Sequence, residues 1–294
     1  MHRRLAIQLS IAALLAGPLW AVEVKTATQL GSYVWRHDAD WFGGFSALHV
    51  SDNGRQMIAL SDRAVLVRAD IMRDGDEIAG IRVTDQWPVL SSKGRLMSGG
   101  VGDSEGVAVR PDGSYYISFE GVHRVAWYAA PDAKARVLRR PRAFAELEQN
   151  GSFEALAIDT QGQLYTLPEK NRTQQGDIPV YRWDGQGWTT PFVLPQRGRF
   201  LPVSADFGPD GRFYVLERGL SLTGFRSRLR RWRIEADVPL AEETLFTTGT
   251  GAHDNLEGLS VWRDDQGRLR ATMISDDNFL ALQRTELVEY LLPD

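Results

Sequence analysis

The chain has 294 residues, of which 43% are hydrophobic and 10% aromatic, a composition typical of a folded globular protein. It contains no cysteine, which excludes disulfide bonds, thiolate metal ligands and cysteine nucleophiles. Lys and Arg number 34 and Asp and Glu 38, so the formal net charge is -4. This balance argues against a nucleic-acid-binding protein, because such proteins usually carry a basic face.

The N-terminus has the pattern of a secretory signal peptide. Arg3 and Arg4 precede a mostly apolar run over residues 5–15, and the small Ala21 lies at a position suited to cleavage. This order of features predicts a signal peptide over residues 1–21, and therefore export to the periplasm or out of a bacterial cell. No later apolar run is long enough to cross a bilayer, so we expect no membrane span after cleavage.

Residues 22–294 contain one strand–turn–strand pattern five times. Each copy has an apolar strand, a turn with glycine and a second strand rich in β-forming residues. The copies begin at Ser46, Glu105, Glu154, Ser204 and Glu257. Asp-Gly and Asn-Gly turns between such runs are strong hairpin signals, because glycine supplies the positive φ that tight turns need. A strand repeat of about 50 residues predicts a single-domain, all-β propeller with one four-stranded blade per repeat.

The number of blades stays open at this point. Five repeats are explicit, but the first spacing is longer than the others, and residues 22–41 precede the first copy. This segment has room for a sixth blade, or for an N-terminal strand that closes the last one. The sequence therefore predicts five or six blades.

Two positions in the repeat are acidic more often than a β-strand requires. The first begins the copy and is Glu105, Glu154 or Glu257 in three copies, with Ser46 and Ser204 in the other two. The second ends the second strand and comprises Asp62, Glu120, Glu169, Glu217, and Asp276 or Asp277. The first strand of a propeller blade lines the central channel, so we expect the first set to converge near the axis.

Converging carboxylates repel one another unless a cation, protons or arginines compensate them. Oxygen ligands without His or Cys favour Ca²⁺ or Mg²⁺ over zinc. We therefore predict a Ca²⁺ site made by Glu105, Glu154, Glu257 and Asp276. The alternative is structural, with the acids accepting backbone hydrogen bonds from the neighbouring blade and fixing the packing.

Cationic residues follow several of the second-position acids. Arg63, Lys170 and Arg218 each come directly after one of them. An arginine can clamp a phosphate or carboxylate with two hydrogen bonds, so these residues are candidates to bind an anionic substrate. Salt bridges at the strand ends would give the same pattern.

Three further residues are candidates for the chemistry itself. Asp62 and Glu217 are predicted to act as ligands or as a general base, and His253 as an acid or base at the channel mouth. A nucleophilic Ser104 is not favoured, although residues 102–106 match G-x-S-x-G. That motif requires a strand, a sharp turn and a helix, whereas here a second strand follows.

At these residues the sequence resembles the phytase-like β-propeller family, which is described by an esterase-like activity of phytase. The resemblance covers essentially all of the chain after the leader. It is carried by residues 44–48, 60–63, 103–109, 153–157, 215–218, 255–259 and 275–279. The resemblance implies an exported bacterial propeller that hydrolyses phosphate or other esters.

Two functional hypotheses follow. The first is a metal-dependent hydrolase that acts on a small ester or phosphoester at the channel mouth. The second is a non-catalytic propeller that binds a ligand or a protein partner in the periplasm, with the acids serving blade packing. Repeated acids favour the first hypothesis, and the lack of a recognisable nucleophile favours the second.

Overall fold

The computed structural model describes residues 26–141, Phe144, Leu147, 151–222 and 224–294. The predicted signal peptide, residues 1–21, lies outside the described residues. Within the described ranges, no helix is long and apolar enough to cross a membrane.

Strands form almost all the regular structure of the described residues, and a 3₁₀ turn lies at Gly99–Val101. The strands are β1 (Thr28–Val34), β2 (Phe45–Val50), β3 (Gln56–Ser61), β4 (Val65–Asp74), β5 (Glu77–Pro88), β6 (Ser104–Val109), β7 (Tyr115–Phe119), β8 (Arg124–Tyr128), β9 (Arg136–Val137), β10 (Ala155–Ile158), β11 (Leu164–Leu167), β12 (Ile178–Trp183), β13 (Trp188–Leu194), β14 (Leu201–Phe207), β15 (Phe213–Ser221), β16 (Gly224–Glu235), β17 (Val238–Thr247), β18 (Asn255–Arg263), β19 (Leu269–Asp276) and β20 (Glu286–Leu291).

Over the described ranges these strands make a propeller of five four-stranded antiparallel sheets. Blades I to IV are β2–β5, β6–β9, β10–β13 and β14–β17, each in chain order from the inside outwards. Blade V combines β18, β19 and β20 with β1 as its outer strand. The predicted all-β propeller is confirmed.

The closure of blade V settles the blade number. Strand β1 pairs antiparallel with β20, from Thr28 opposite Leu291 to Val34 opposite Glu286. The N-terminal segment therefore supplies the closing strand and does not form a sixth blade. This pairing joins the two ends of the described chain, and it removes an open edge that would otherwise be available for aggregation.

The core lies between the blades, where apolar residues on facing sheets interdigitate. Blades III and IV, for example, pack through a cluster that includes Tyr165, Leu194, Phe213 and Trp232. These residues alternate along their strands with residues of the opposite face, as period-two patterning requires. Blade packing of this kind leaves the inner strand ends free to surround a cavity at one end of the channel.

Candidate functional site

The candidate site is a cavity of about 340 Å³ at the end of the channel where the first strands begin. Carboxylates dominate its wall, with one arginine and one lysine among the described lining residues. The lining comprises Ser46, Asp62, Asp103, Glu105, Glu120, Gly151, Glu154, Glu169, Lys170, Arg218, Glu257, Asp276 and Asn278. The structure thus brings together seven of the predicted site residues, namely Asp62, Glu105, Glu154, Lys170, Arg218, Glu257 and Asp276.

β-bulges direct the first-position side chains into this cavity. Glu105 has no register partner, because Ser104 pairs with Phe119 and Gly106 with Ser118. Glu257 is skipped in the same way between Leu256 and Gly258. A bulge leaves one residue unpaired and re-aims its side chain, which explains why strands with otherwise apolar inner faces present carboxylates here.

In blade IV, the observed strand register differs from the alignment that the sequence repeat predicts. Pro202 pairs with Glu217, and Ser204 with Leu216, so Val203 is the skipped residue in blade IV. The predicted first-position residue Ser204 is therefore one place too late. By the same register, Glu217 corresponds to Ser275 of blade V and not to Asp276.

The ends of the second strands form a ring of side chains around the cavity, and this ring contains an arginine. In blades I, II, IV and V, the residue directly after the second-strand partner of the residue that precedes the bulge is Asp62, Glu120, Arg218 and Asp276, respectively. Glu169 lies at the same end of the cavity in blade III. Blade IV thus places a positive charge where the sequence repeat predicted an acid.

Arg218 ties three blades together across the cavity. Its Nη2 donates to Glu169 Oε1 of blade III at 2.6 Å, and its Nη1 donates to Asn255 Oδ1 of blade V at 2.9 Å. Nη1 also forms an ion pair with Glu257 Oε1, which in turn accepts a hydrogen bond from Asn255 Nδ2 at 2.8 Å. The guanidinium is thus occupied by the protein's own carboxylates.

On the opposite side of the cavity, three acids converge. Asp103, Glu105 and Glu120 each offer a carboxylate oxygen, and these oxygens lie within 4.8 Å of one another. Glu120 also accepts hydrogen bonds from the backbone N–H groups of Gly151 and Ser152 at the start of blade III. Of the predicted calcium quartet, only Glu105 belongs to this trio of described residues.

Burial and crowding raise the pKa values of several carboxylates in the cavity. Desolvation, followed by the charges of neighbouring carboxylates, raises the pKa of Glu105 and of Glu154 well above the ordinary range. Burial raises the pKa of Asp62 to about 6, against the opposing influence of Arg63. Burial and the charge of Glu257 raise the pKa of Asp276 to about 8. A cluster with this profile favours protons or cations, because each ionised carboxylate lies in the field of the others.

Three predicted site residues do not line the cavity. Glu217 is completely buried inside blade IV, where its carboxylate accepts hydrogen bonds from Arg228 Nε at 2.6 Å and Arg230 Nη2 at 2.5 Å. His253 is buried beside blade V, with its Nε2 at 3.1 Å from the Tyr290 hydroxyl. Arg63 is exposed and packs over the ring of Phe279.

Two serines acquire different roles. Ser104, the serine of the G-x-S-x-G match, is buried, and its hydroxyl donates to the Ser61 carbonyl at 2.7 Å. That hydrogen bond joins blade II to blade I. Ser46, in contrast, lines the cavity.

Asp103 was missed because it lies just before β6, outside the two positions of the repeat at which acids recur. From the sequence, Arg218 is predicted to bind the substrate. Its position in the ring of second-strand ends follows instead from its distance to the glycine of the hairpin turn. Glu120, Glu169 and Arg218 each follow the glycine of their hairpin (Gly113, Gly162 or Gly211) by seven residues. In blades II to IV, counting from the turn rather than matching acids gives the observed register, whereas Asp62 and Asp276 follow Gly54 and Gly267 by eight and nine residues.

A larger cavity of about 460 Å³ lies between blades I and V around Trp262. Its cationic side chains are already paired. Arg73 binds Glu289 through two hydrogen bonds of 2.7 and 2.8 Å, and Arg270 binds Asp264 at 2.9 Å and also Asp76. Because these charges balance locally, this cavity lacks the uncompensated charge of the channel mouth.

Solved structures of other proteins are similar to this chain. The catalytic domain of a GH62 α-L-arabinofuranosidase from Coprinopsis cinerea is similar with a TM-score of 0.58 at 13% identity, over 92% of this chain and 97% of that one. The PQQ-bound aldose sugar dehydrogenase from Streptomyces coelicolor gives a TM-score of 0.49 at 12% identity, over 92% and 100% of the two chains. The likeness to the arabinofuranosidase domain, at an identity this low, shows a common fold and leaves the chemistry to the site. No curated protein matches the chain in sequence.

A family model gives a more specific result. The model called Phytase-like, described as "Esterase-like activity of phytase", matches residues 40–279. The matched range begins before β2 and ends just after β19, so it includes every residue that lines the channel-mouth cavity. The chain belongs to the phytase-like family.

Proposed function

We propose that the protein is a metal-dependent ester hydrolase whose reaction takes place at the channel-mouth cavity. The observation that carries the proposal is the convergence of Asp103, Glu105 and Glu120, whose oxygens lie within 4.8 Å of one another in a cavity lined mostly by acids. We propose Ca²⁺ as the ion. The substrate would be a small ester or phosphoester.

The donor set fits a hard cation. Ca²⁺ takes carboxylate oxygens at about 2.3–2.6 Å, so two ligands of one ion lie up to about 5 Å apart. The spacing of the acid trio falls within that limit. Asp103 and Glu120 are half-buried and Glu105 is buried, which leaves their carboxylates next to the cavity yet poorly hydrated. Binding a cation would relieve the mutual repulsion of the trio.

In the proposed reaction a water oxygen bonds to the ester carbon or phosphorus, and the bond to the alcohol oxygen breaks. Asp103, Glu105 and Glu120 would hold the Ca²⁺, which would supply Lewis acidity to the ester and the attacking water. Asp62, half-buried at the same cavity, takes the proton from the attacking water and returns it to the leaving alcohol. Lys170 lies beside Glu169 at the cavity wall with 44% of its side chain exposed, and orients an anionic group.

Arg218 has a supporting role in this scheme. Because Glu169, Asn255 and Glu257 occupy its guanidinium, it is a positioning residue and not the substrate clamp expected from the sequence. It neutralises the blade III and blade V acids, so the uncompensated charge is concentrated around Asp103, Glu105 and Glu120.

We further propose that the protein works outside the cytoplasm. The support is the basic, apolar and small-residue order of residues 1–21. Mass spectrometry of the protein from a periplasmic fraction would test this, with a mature N-terminus after Ala21 as the expected result. An intact N-terminus on cytoplasmic protein contradicts the proposal.

A second candidate is a non-catalytic propeller that binds a cation or a small ligand. It is favoured by the contacts in which acids hold neighbouring blades together. Glu120 accepts backbone hydrogen bonds from blade III, and Asp277 of blade V accepts one from the Gly44 N–H at 2.9 Å. Acids with such structural partners need no substrate to account for them.

One experiment distinguishes the two functions. Turnover of p-nitrophenyl acetate and p-nitrophenyl phosphate is measured, together with thermal unfolding, after EDTA treatment and after Ca²⁺ is restored. We expect Ca²⁺-dependent turnover that is lost in Glu105→Gln and kept in Glu235→Gln, which alters an exposed acid with 56% of its side chain accessible. Stabilisation by Ca²⁺ without turnover supports the binding function. If Ca²⁺ causes neither stabilisation nor turnover, both proposed uses of the ion are contradicted.

A further inference from the structure

Two consecutive residues shortly after the end of β19 have a left-handed backbone. Asn278 has a φ of 48° and Phe279 a φ of 51°. Asparagine adopts this region readily, whereas a bulky side chain such as that of Phe279 rarely does. A strained conformation of this kind costs about 1–3 kcal/mol and persists only where the surrounding structure imposes it. The pair therefore calls for an explanation.

The other left-handed, non-glycine residues within the described ranges follow from strand geometry. Ala236 and Asp237 form the two-residue hairpin turn between β16 and β17, which needs a positive φ at both positions. Ala64 ends the short turn between β3 and β4, and Ala241 lies at a bulge in β17. The pair after β19 lies in the longer connection over residues 277–285, where strand twist does not select a left-handed turn. Its conformation must come from other contacts.

Contacts with blade I impose the left-handed turn. Asp277 Oδ1 accepts hydrogen bonds from the Gly44 N–H at 2.9 Å and from the Phe279 N–H at 3.1 Å. The Arg63 guanidinium lies over the Phe279 ring, 3.1 Å from its centroid. A Cβ atom on Gly44 would lie 2.5 Å from both the Phe279 ring and Asp62 Oδ1, so the turn packs directly beside the proposed general base.

The turn leaves the side chain of Asn278 available at the cavity. Asn278 is exposed and lines the cavity wall. Its backbone N–H donates to Asp276 Oδ1 at 2.7 Å, while its side-chain amide has no hydrogen-bond partner within the part of the chain that the structure describes. Ser46 is the other neutral polar side chain among the described lining residues, but its Oγ is enclosed by protein. Asn278 thus provides an amide that a ligand in the cavity can reach.

The surrounding chemistry determines what the amide can do. Ionised carboxylates only accept hydrogen bonds, and both terminal nitrogens of Arg218 already bind protein oxygens. An ester presents oxygen acceptors, and negative charge develops on one of them during hydrolysis. The acids of the wall repel that developing charge, whereas the amide N–H of Asn278 is a neutral donor that stabilises it.

We propose that Asn278 is a catalytic residue that donates a hydrogen bond from Nδ2–H to the carbonyl or phosphoryl oxygen of the bound ester, and that the left-handed turn fixes its position. The inference rests on the proposed hydrolase function and adds a residue to it. No covalent bond to Asn278 forms or breaks. The amide keeps its protons, and its hydrogen bond strengthens as charge accumulates on the substrate oxygen.

Two substitutions separate the amide from the backbone that carries it. Asn278→Gly removes the side chain and introduces the residue that accepts a positive φ most easily, so the turn should be kept. Asn278→Asp keeps the size of the side chain and an oxygen that could bind Ca²⁺, but it removes the N–H donor. Ala236→Gly is the matched control, because it also replaces a left-handed residue by glycine and lies outside the lining of the cavity.

The test compares steady-state kinetics of p-nitrophenyl acetate hydrolysis in Ca²⁺ for wild type and the three variants. We expect Asn278→Gly and Asn278→Asp each to lower kcat about 100-fold, the effect of removing one oxyanion donor, with little change in KM. Ala236→Gly should match wild type. Calorimetry with Ca²⁺ alone should give the same affinity for wild type, Asn278→Gly and Ala236→Gly, because Asn278 is not assigned as a metal ligand.

Stability measured in EDTA separates a catalytic role from a structural one, and Asn278→Gly should unfold at about the temperature of wild type. An unchanged kcat in Asn278→Gly, or a lowered kcat that comes with a lowered unfolding temperature, would overturn the proposal. A weakened Ca²⁺ affinity in Asn278→Gly together with a normal kcat in Asn278→Asp would also overturn it, because Asn278 would then be a metal ligand. If wild type itself shows no ester turnover, the hydrolase function fails and this role fails with it, a result distinct from an active enzyme that is indifferent to Asn278.

Discussion

Glu217 and Arg218 are adjacent in β15, but their side chains belong to different ion-pair networks on opposite faces of the blade. Glu217 binds Arg228 and Arg230 in the interior of blade IV, where the carboxylate and the Arg230 guanidinium have no exposed surface. Arg218 points to the cavity and binds Glu169 of blade III at 2.6 Å. The alternation of a strand thus separates a charge cluster that stabilises one blade from one that joins blades around the site.

Replacing Arg218 should destabilise the propeller. Arg218→Met leaves Glu169 and Glu257 unpaired in an acidic cavity, and breaking a buried pair in this way costs about 3–5 kcal/mol. We expect urea unfolding in EDTA to show a loss of this size, and we expect added Ca²⁺ to recover part of it. Arg197→Met, which removes an arginine with 55% of its side chain exposed, is the control and should have little effect. Equal stability of the two variants would show that the bridge across the blades contributes nothing.

Glu217 should matter for stability and not for turnover. Glu217→Gln leaves the positive charges of Arg228 and Arg230 poorly compensated in the interior, with an expected loss of about 3 kcal/mol in free energy of unfolding. The ester kcat of the folded variant should equal that of wild type, because the carboxylate does not line the cavity. Unfolding and kinetics are measured on the same preparation. A lowered kcat at unchanged stability would instead support the catalytic role predicted from the sequence.

The fold can be predicted from local sequence patterns, because each hairpin is marked by its turn glycine and by alternating residues in its strands. The closing strand β1 is different. It has no copy of the repeat, and its partner β20 lies at the other end of the chain, with Thr28 opposite Leu291. A pairing of such long range leaves no local signal, so the sequence permits five or six blades with equal ease.

The site was predictable to the extent that it follows the repeat. Glu105, Glu154 and Glu257 recur at one position, and they do line one cavity. Matching by residue type failed in blade IV, where Glu217 was taken for a ring acid although the register places Arg218 there. The interior partners of Glu217 come from β16, and a pattern confined to the first two strands of the blade contains no trace of them.

Removing β1 should open the propeller. Deletion of residues 26–34 exposes the edge of β20, which pairs with β1 along its length. We expect a lower unfolding temperature and a broader calorimetric transition, because a propeller without its closing strand loses one blade edge and the pairing of its termini. A synthetic peptide of residues 26–34 should restore stability in a concentration-dependent way. An unchanged transition in the deleted chain would show that blade V needs no fourth strand, and Ser32→Ala serves as a control that keeps β1.

Asp206 should make stability depend on pH. Burial raises the pKa of this aspartate to about 7, although its Oδ2 accepts a hydrogen bond from the Val261 N–H at 2.7 Å. The folded state therefore favours the protonated carboxyl. The contribution of the protonated Asp206 carboxyl to the free energy of unfolding is complete below the pKa of an unfolded aspartate, about 3.9. This contribution is lost as the pH rises through about 7.

Asp206→Asn keeps an oxygen that can accept from Val261 but removes the ionisation. At about pH 4 the variant and wild type should unfold alike, and at about pH 8 the variant should be the more stable of the two. Urea unfolding across this range measures the difference, and Asp265→Asn, with an exposed side chain, is the control that should show no growing gap. A gap that is constant with pH, or one that closes as the pH rises, would mean that Asp206 ionises in the folded protein at least as readily as in the unfolded chain.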